Sequence, residues 1–279
     1  MSHSQAATRI SDEFSMTFAM FLERPAVRRL VQGEATLNEY GSFLRQVFHQ
    51  TRDNPQLQAH ATAYFRGDQR TCIRKFLGHA VSEIGHEYLA LRDLENLGVP
   101  ASVLVDRIPH ETPLPETQAF TAYAHYQMQF VDPVAYLGVV YFLEFMPTTI
   151  GEGAALALDR MGVPADSRSF IDDHVAIDVA HNRLMESYLE FLAPTEDKQN
   201  LIASAVKAAA RLYGNMIEAA FEAADQPGLT DTRNEAEAAG LLIPSMHRMG
   251  GEPVESLERR PDRSSGVRSA VLPKGRVTL

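Results

Sequence analysis

Cysteine and tryptophan are almost missing from this chain of 279 residues, which has one cysteine, Cys72, and no tryptophan. A single thiol excludes an intramolecular disulfide and any multi-cysteine zinc or iron–sulfur site. Long hydrophobic runs are also lacking. No stretch approaches the roughly 18 unbroken apolar residues of a membrane-spanning helix. The segment from Met1 to Ala7 has no basic-then-apolar signal pattern. The expectation is a cytoplasmic protein without a membrane role. Positive charge is in deficit, with 26 Lys and Arg against 36 Asp and Glu and a net charge of −10. That balance argues against a nucleic-acid binder, which needs a basic face. Period-two alternation is scarce, so strands are not expected.

What remains is a three-to-four residue apolar period over most of the chain, the mark of amphipathic helices. The pattern predicts an all-α protein with a bundle of seven to eight helices. Residues 1–10 read as a flexible N-terminus and 11–224 as the bundle. Residues 225–279 read as a mostly irregular tail, with a short helix over 234–242. A helix starting near Ser11 is interrupted at Pro25, and further helices span about 37–52 and 55–64. A long one runs from about Arg70 to Leu97 and stops at Gly98-Val99-Pro100. Others cover about 115–131, 133–161 (with Pro147 as a kink), 167–192 and 196–224.

Ten histidines are present, and several recur at helical spacing. His174, Asp178 and His181 stand at i, i+4 and i+7, so they share an arc of about 60°. Ile171, Met185 and Tyr188 lie on the same face, which places these polar groups inside the apolar stripe. Buried polar groups need partners. A metal ion would supply them, and so would hydrogen bonds within the core. His79, Glu83 and His86 repeat the spacing in the long fourth helix. Glu83-x-x-His86 is the unit with which carboxylate-bridged dimetal bundles supply a bridging carboxylate and an imidazole. His79 reads as a non-ligand neighbour. Glu144 sits in an otherwise apolar run, Leu137 to Met146, where burial favours the neutral acid unless a cation compensates. The candidate ligands are therefore Glu83, His86, Glu144, His174, Asp178 and His181. Imidazole and carboxylate without thiolate suits iron or manganese. Three carboxylates among six ligands fit two ions better than one. Candidate pocket residues are Phe48, Tyr141, Thr148, Gly151 and Tyr188.

His174-x-x-x-Asp178-x-x-His181, with Glu83-x-x-His86 and Glu144 before it, resembles the haem-oxygenase-like dimetal oxidases and oxygenases. The separations fit as well, at 58 residues from His86 to Glu144 and 30 from Glu144 to His174. The resemblance spans about residues 35–195. It implies a haem-oxygenase-like or thiaminase-like bundle holding two Fe ions, with O2 as co-substrate. It further implies oxidation of a small organic substrate by C–C cleavage, decarboxylation or N-oxygenation of an amino acid, amine or fatty acid. Members often carry another ligating glutamate about 34 residues before the Glu-x-x-His unit, a register that falls on His49 here. His49 is thus a seventh candidate ligand, although helix periodicity sets it beside Arg45 and Arg52 and equally suits a solvated side chain. The rival readings are a metal-free thiaminase-like or cofactorless-oxidase-like enzyme, a haem oxygenase proper, and a regulatory protein that binds a metal or small molecule. A homodimer is a further expectation.

Overall fold

The computed structural model describes residues Gln5–Ala224, excluding the side chains of Gln5 and of residues 175–180. The expected tail over 225–279, with its short helix, lies outside the described residues. The described residues form eleven α-helices joined by turns and short 3-10 and π segments, with no strand among them. They are α1 (Gln5–Leu22), α2 (Pro25–Gln32), α3 (Leu37–Thr51), α4 (Asn54–Ala61), α5 (Ile73–Ser82), α6 (Glu87–Asn96), α7 (Pro115–Tyr126), α8 (Tyr136–Ile150), α9 (Glu152–Arg160), α10 (Ser169–Leu192) and α11 (Glu196–Ala224). None is long and apolar enough to cross a membrane.

The count exceeds eight because three of the expected helices are broken, the first of them between Leu22 and Pro25, where α1 gives way to α2. The fourth divides between α5 and α6 over residues 83–86, where Gly85 takes φ +99°, a value L side chains rarely adopt. The sixth divides at Gly151 (φ +52°), while Pro147 stays inside α8 without ending it. At the N-terminus the chain is already helical at Gln5 rather than from near Ser11, and Ala6, Ala7 and Ile10 are buried in the core.

α8 is the central element, with α10 and α11 packed on it and α1 and α3 also on α11. Gly138 of α8 lies so close to α11 that a Cβ there would fall inside contact distance of the Ile202 carbonyl oxygen and the Ala205 Cβ. Local chemistry fixes the ends of the helices that carry the polar residues. α3 opens on a capping box in which the Thr36 hydroxyl accepts from the Glu39 N–H at 3.2 Å and Glu39 accepts from the Thr36 N–H at 2.8 Å. Asp93 of α6 is fully buried and caps α10, accepting from the N–H groups of Ser169 and Phe170 at 2.8 Å each. This ties the start of α10 to α6 across a long sequence separation.

α3 differs from expectation at His49. Rather than being solvated, His49 is buried, and its Nε2 donates to Glu111 Oε1 at 3.0 Å. Glu111 is also paired with Arg45. The chain from 103 to 111 folds over this side of α3 and supplies the carboxylate, which periodicity within α3 alone does not reveal. Burial, joined by the charges of Arg52 and Arg45, pushes His49 down to about 4.

Two outcomes are expected. Gly138→Ala forces α8 and α11 apart and lowers the unfolding free energy by about 1–3 kcal/mol, readable by urea denaturation; an unchanged midpoint would refute the close approach. The second concerns acid. Folded His49 stays neutral down to about 4, while the unfolded chain protonates it at the ordinary value of 6.5. The unfolded state therefore binds the extra proton within that window, and stability falls as pH drops through it. In His49→Gln the melting temperature loses part of this pH dependence. Identical slopes for the two proteins would show that His49 is not its source.

Candidate metal centre

Three helical segments converge on the middle of the bundle. Near the end of α5 and in the turn after it stand His79 and Glu83, α8 contributes Glu144, and α10 contributes His181. One ligand-type atom from each lies within 4.8 Å of all the others, and all four residues are buried. The tightest contacts join Glu144 to the two imidazoles. Its Oε2 lies 2.9 Å from His181 Nδ1 and its Oε1 lies 3.1 Å from His79 Nε2. Burial alone would raise the Glu144 carboxyl, but hydrogen bonds from His181 and His79 outweigh it and hold the group well below the usual carboxylate range.

Glu83 faces two ways. Its Oε1 stands 3.5 Å from His181 Nδ1 and 3.7 Å from His79 Nε2, while its Oε2 stands 3.5 Å from His86 Nδ1. The His86 ring meets the His174 ring edge-on, with centroids 4.9 Å apart. His174 donates from Nδ1 to the Phe170 carbonyl at 2.6 Å, which orients Nε2 as its remaining nitrogen. Burial first, and then His86, lowers the pKa of His174. The break after α5 accounts for this geometry. Residues 83 and 86 flank a turn, so Glu83 presents one oxygen to each side.

The donor set fits a metal ion. Ligands about 2.1 Å from one ion at right angles stand about 3.0 Å apart, close to the separations around Glu144. The set is imidazole and carboxylate, which suits iron or manganese and lacks the sulfur of structural zinc sites. Polar groups buried this closely are otherwise costly.

The structure brings Glu83, His86, Glu144, His174 and His181 together. Asp178 has a side chain outside the described residues. His49 does not join the cluster, since it is held by Glu111, whereas its neighbour Gln50 lines the cavity that reaches the site. His79 stands inside the cluster although the sequence reads it as a non-ligand. Its position one turn before Glu83 was the available signal.

A cavity enclosing about 1060 Å³, part of it open to solvent, adjoins the cluster, and Glu83, Glu144 and His174 are in its wall. Phe48, Tyr141, Thr148, Gly151 and Tyr188, expected to form a pocket, are not among its lining residues. The cavity side of α8 is Leu143, Met146, Pro147 and Ile150, an arc turned away from Tyr141 and Thr148. Tyr141 instead stacks on Phe145 at 4.0 Å, and Phe48 packs edge-on against His49. Thr148 accepts from Asn182 at 2.9 Å. Gly151 forms the turn between α8 and α9. Tyr188 stands beside the cluster, its ring 6.4 Å from that of His79. The far walls come from α2 and α9.

The fold is shared with solved structures. A domain of unknown function with a haem-oxygenase-like fold from Shewanella denitrificans has 20% identity and a TM-score of 0.69, covering 85% of this chain and 96% of that one. A TenA homologue from Pseudomonas syringae pv. tomato has 13% identity and a TM-score of 0.65, covering 79% and 94%. A TenA homologue from P. horikoshii has 10% identity and a TM-score of 0.64, covering 78% and 99%. At such identities the likeness establishes the haem-oxygenase-like fold alone. No curated protein matches the chain. The sequence model of the family described as iron-containing redox enzyme matches residues 41–214, more than half of the chain and all of the segments that carry the cluster, and the chain belongs to that family.

Proposed function

We propose that the protein is a non-haem diiron oxidase or oxygenase that uses O2 to oxidise a small organic substrate. The observation that carries this reading is Glu83, whose two oxygens are turned to different imidazoles, His181 and His79 on one side and His86 on the other. A single carboxylate so placed suits a bridge between two cations. On one side His79, Glu144 and His181 would hold the first ion, and on the other His86 and His174 would hold the second. Asp178, one turn from both His174 and His181 in sequence, is proposed to complete the set. Two bound irons supply the redox equivalents and open coordination positions that dioxygen chemistry requires.

The chain's own residues do the rest. The Phe170 carbonyl fixes the His174 ring so that Nε2 is the nitrogen available to a cation. The apolar wall of Leu143, Met146 and Ile150 offers water no hydrogen-bond partner, and a less polar surround strengthens electrostatic contacts there. Carboxylates inside the cavity wall argue against a haem pocket, which is apolar around its axial ligand. To the six ligands expected from sequence His79 is added, and His49, the seventh candidate, is withdrawn because Glu111 holds it.

The test is metal content after anaerobic loading with ferrous iron, followed by oxygen uptake. The wild-type chain is expected to hold about two irons. Glu83→Ala should lose both, and His181→Ala or His174→Ala about one. Oxygen uptake should fall by at least about tenfold in each. Unchanged iron content in Glu83→Ala, with the fold intact by circular dichroism, would refute the reading.

A further inference from the structure

The cavity beside the cluster is chemically lopsided. At one place its wall contains Glu83, Glu144 and His174, and the amides Gln50 and Asn54 are the other strongly polar side chains facing it. Gln50 donates to Asn54 at 2.8 Å, which uses one donor of Gln50 and the carbonyl oxygen of Asn54. Apart from Thr51 and the hydroxyls of Tyr40 and Tyr213, the remaining wall is aliphatic or aromatic, contributed by α1, α2, α3, α8, α9, α10 and α11. Among the described residues lining it there is no lysine or arginine.

The cavity is also long. Tyr40 and Gln50 of the same helix both line it, and ten residues of α-helix span about 15 Å. A compact zwitterion would leave most of this length filled by water against apolar walls and would find no cationic side chain for a second charge. A flexible hydrocarbon chain fills such a space at little cost, because burying each methylene is favourable.

Building on the diiron reading, we infer that the ligand is an unbranched aliphatic chain with a single anionic or uncharged polar head. The head lies at Glu83, Glu144 and His174, and the chain runs between α3 and α9 past Leu30, Ala154 and Leu158. With cations held by the cluster, an anionic head meets positive charge at that end and a mostly apolar wall without cationic side chains beyond it. An amine head would be repelled there.

The experiment is equilibrium binding to the metal-loaded protein, kept anaerobic, with hexanoate, octanoate and decanoate as probes, alongside decanol, decylamine and leucine. Affinity for the carboxylates should tighten about threefold to fourfold per added methylene, and decanoate or decanol should bind more tightly than decylamine and leucine. Ala154→Phe, which places a ring in the cavity wall away from every proposed ligand, should weaken decanoate by at least about tenfold and leave iron content unchanged. Ile150→Trp serves the same purpose should Ala154→Phe fail to fold. Affinity that does not depend on chain length, or leucine or decylamine binding more tightly than decanoate, would overturn the inference. Full iron loading with a flat chain-length response defeats this inference alone. Chain-length-dependent binding without iron defeats the diiron reading and, with it, the placement of the head group.

Discussion

The contact between Glu144 and the imidazoles of His79 and His181 is the constraint around which the bundle is organised. A carboxylate on a helix as apolar as α8 is expensive to bury, and the chain meets that expense by bringing two histidines to about 3 Å from it. To do so it must hold α5, α8 and α10 in fixed register. The buried cap from Asp93 sets where α10 begins, and the close approach at Gly138 sets how α8 lies on α11. These are apolar-core and capping interactions of the ordinary kind, yet they determine the distances between polar groups at the centre.

The same packing separates two environments. Toward α5 and α10 the interior is polar and crowded with groups that titrate. Toward α2 and α9 it is apolar and partly empty. Glu83, Glu144 and His174 lie on the boundary and belong to both. A reactive centre and a space able to receive a molecule thus adjoin without an intervening layer.

Much of this was legible in the sequence. The spacing of His174 and His181 predicts that they share a face of one helix, and Glu144 stands out because its neighbours are apolar. The all-α class follows from periodicity, whereas the haem-oxygenase-like fold was implied by the resemblance that the motif carries. Helix breaks were harder to read. Nothing in the apolar period distinguishes one helix over 70–97 from two helices with a turn at Gly85, because the pattern resumes in nearly the same phase. His49 was misplaced for a different reason. Its surroundings are set by Glu111, 62 residues away, and a carboxylate arriving from a distant loop leaves no trace in the local period. The cavity was misplaced because its outline depends on which arc of α8 faces α2 and α9. In a helix apolar on nearly all sides, no arc is marked.

The turn at Gly85 has a mechanical consequence. Had residues 79, 83 and 86 remained on one continuous helix, the spacing of their side chains would be locked to the helical rise of about 1.5 Å per residue. With the helix interrupted, His79 travels with α5 and His86 with α6, and Glu83 acts as the pivot between two separately packed rods. The distance between the two halves of the cluster then becomes a property of tertiary packing, adjustable by substitutions far from the centre that tilt either rod.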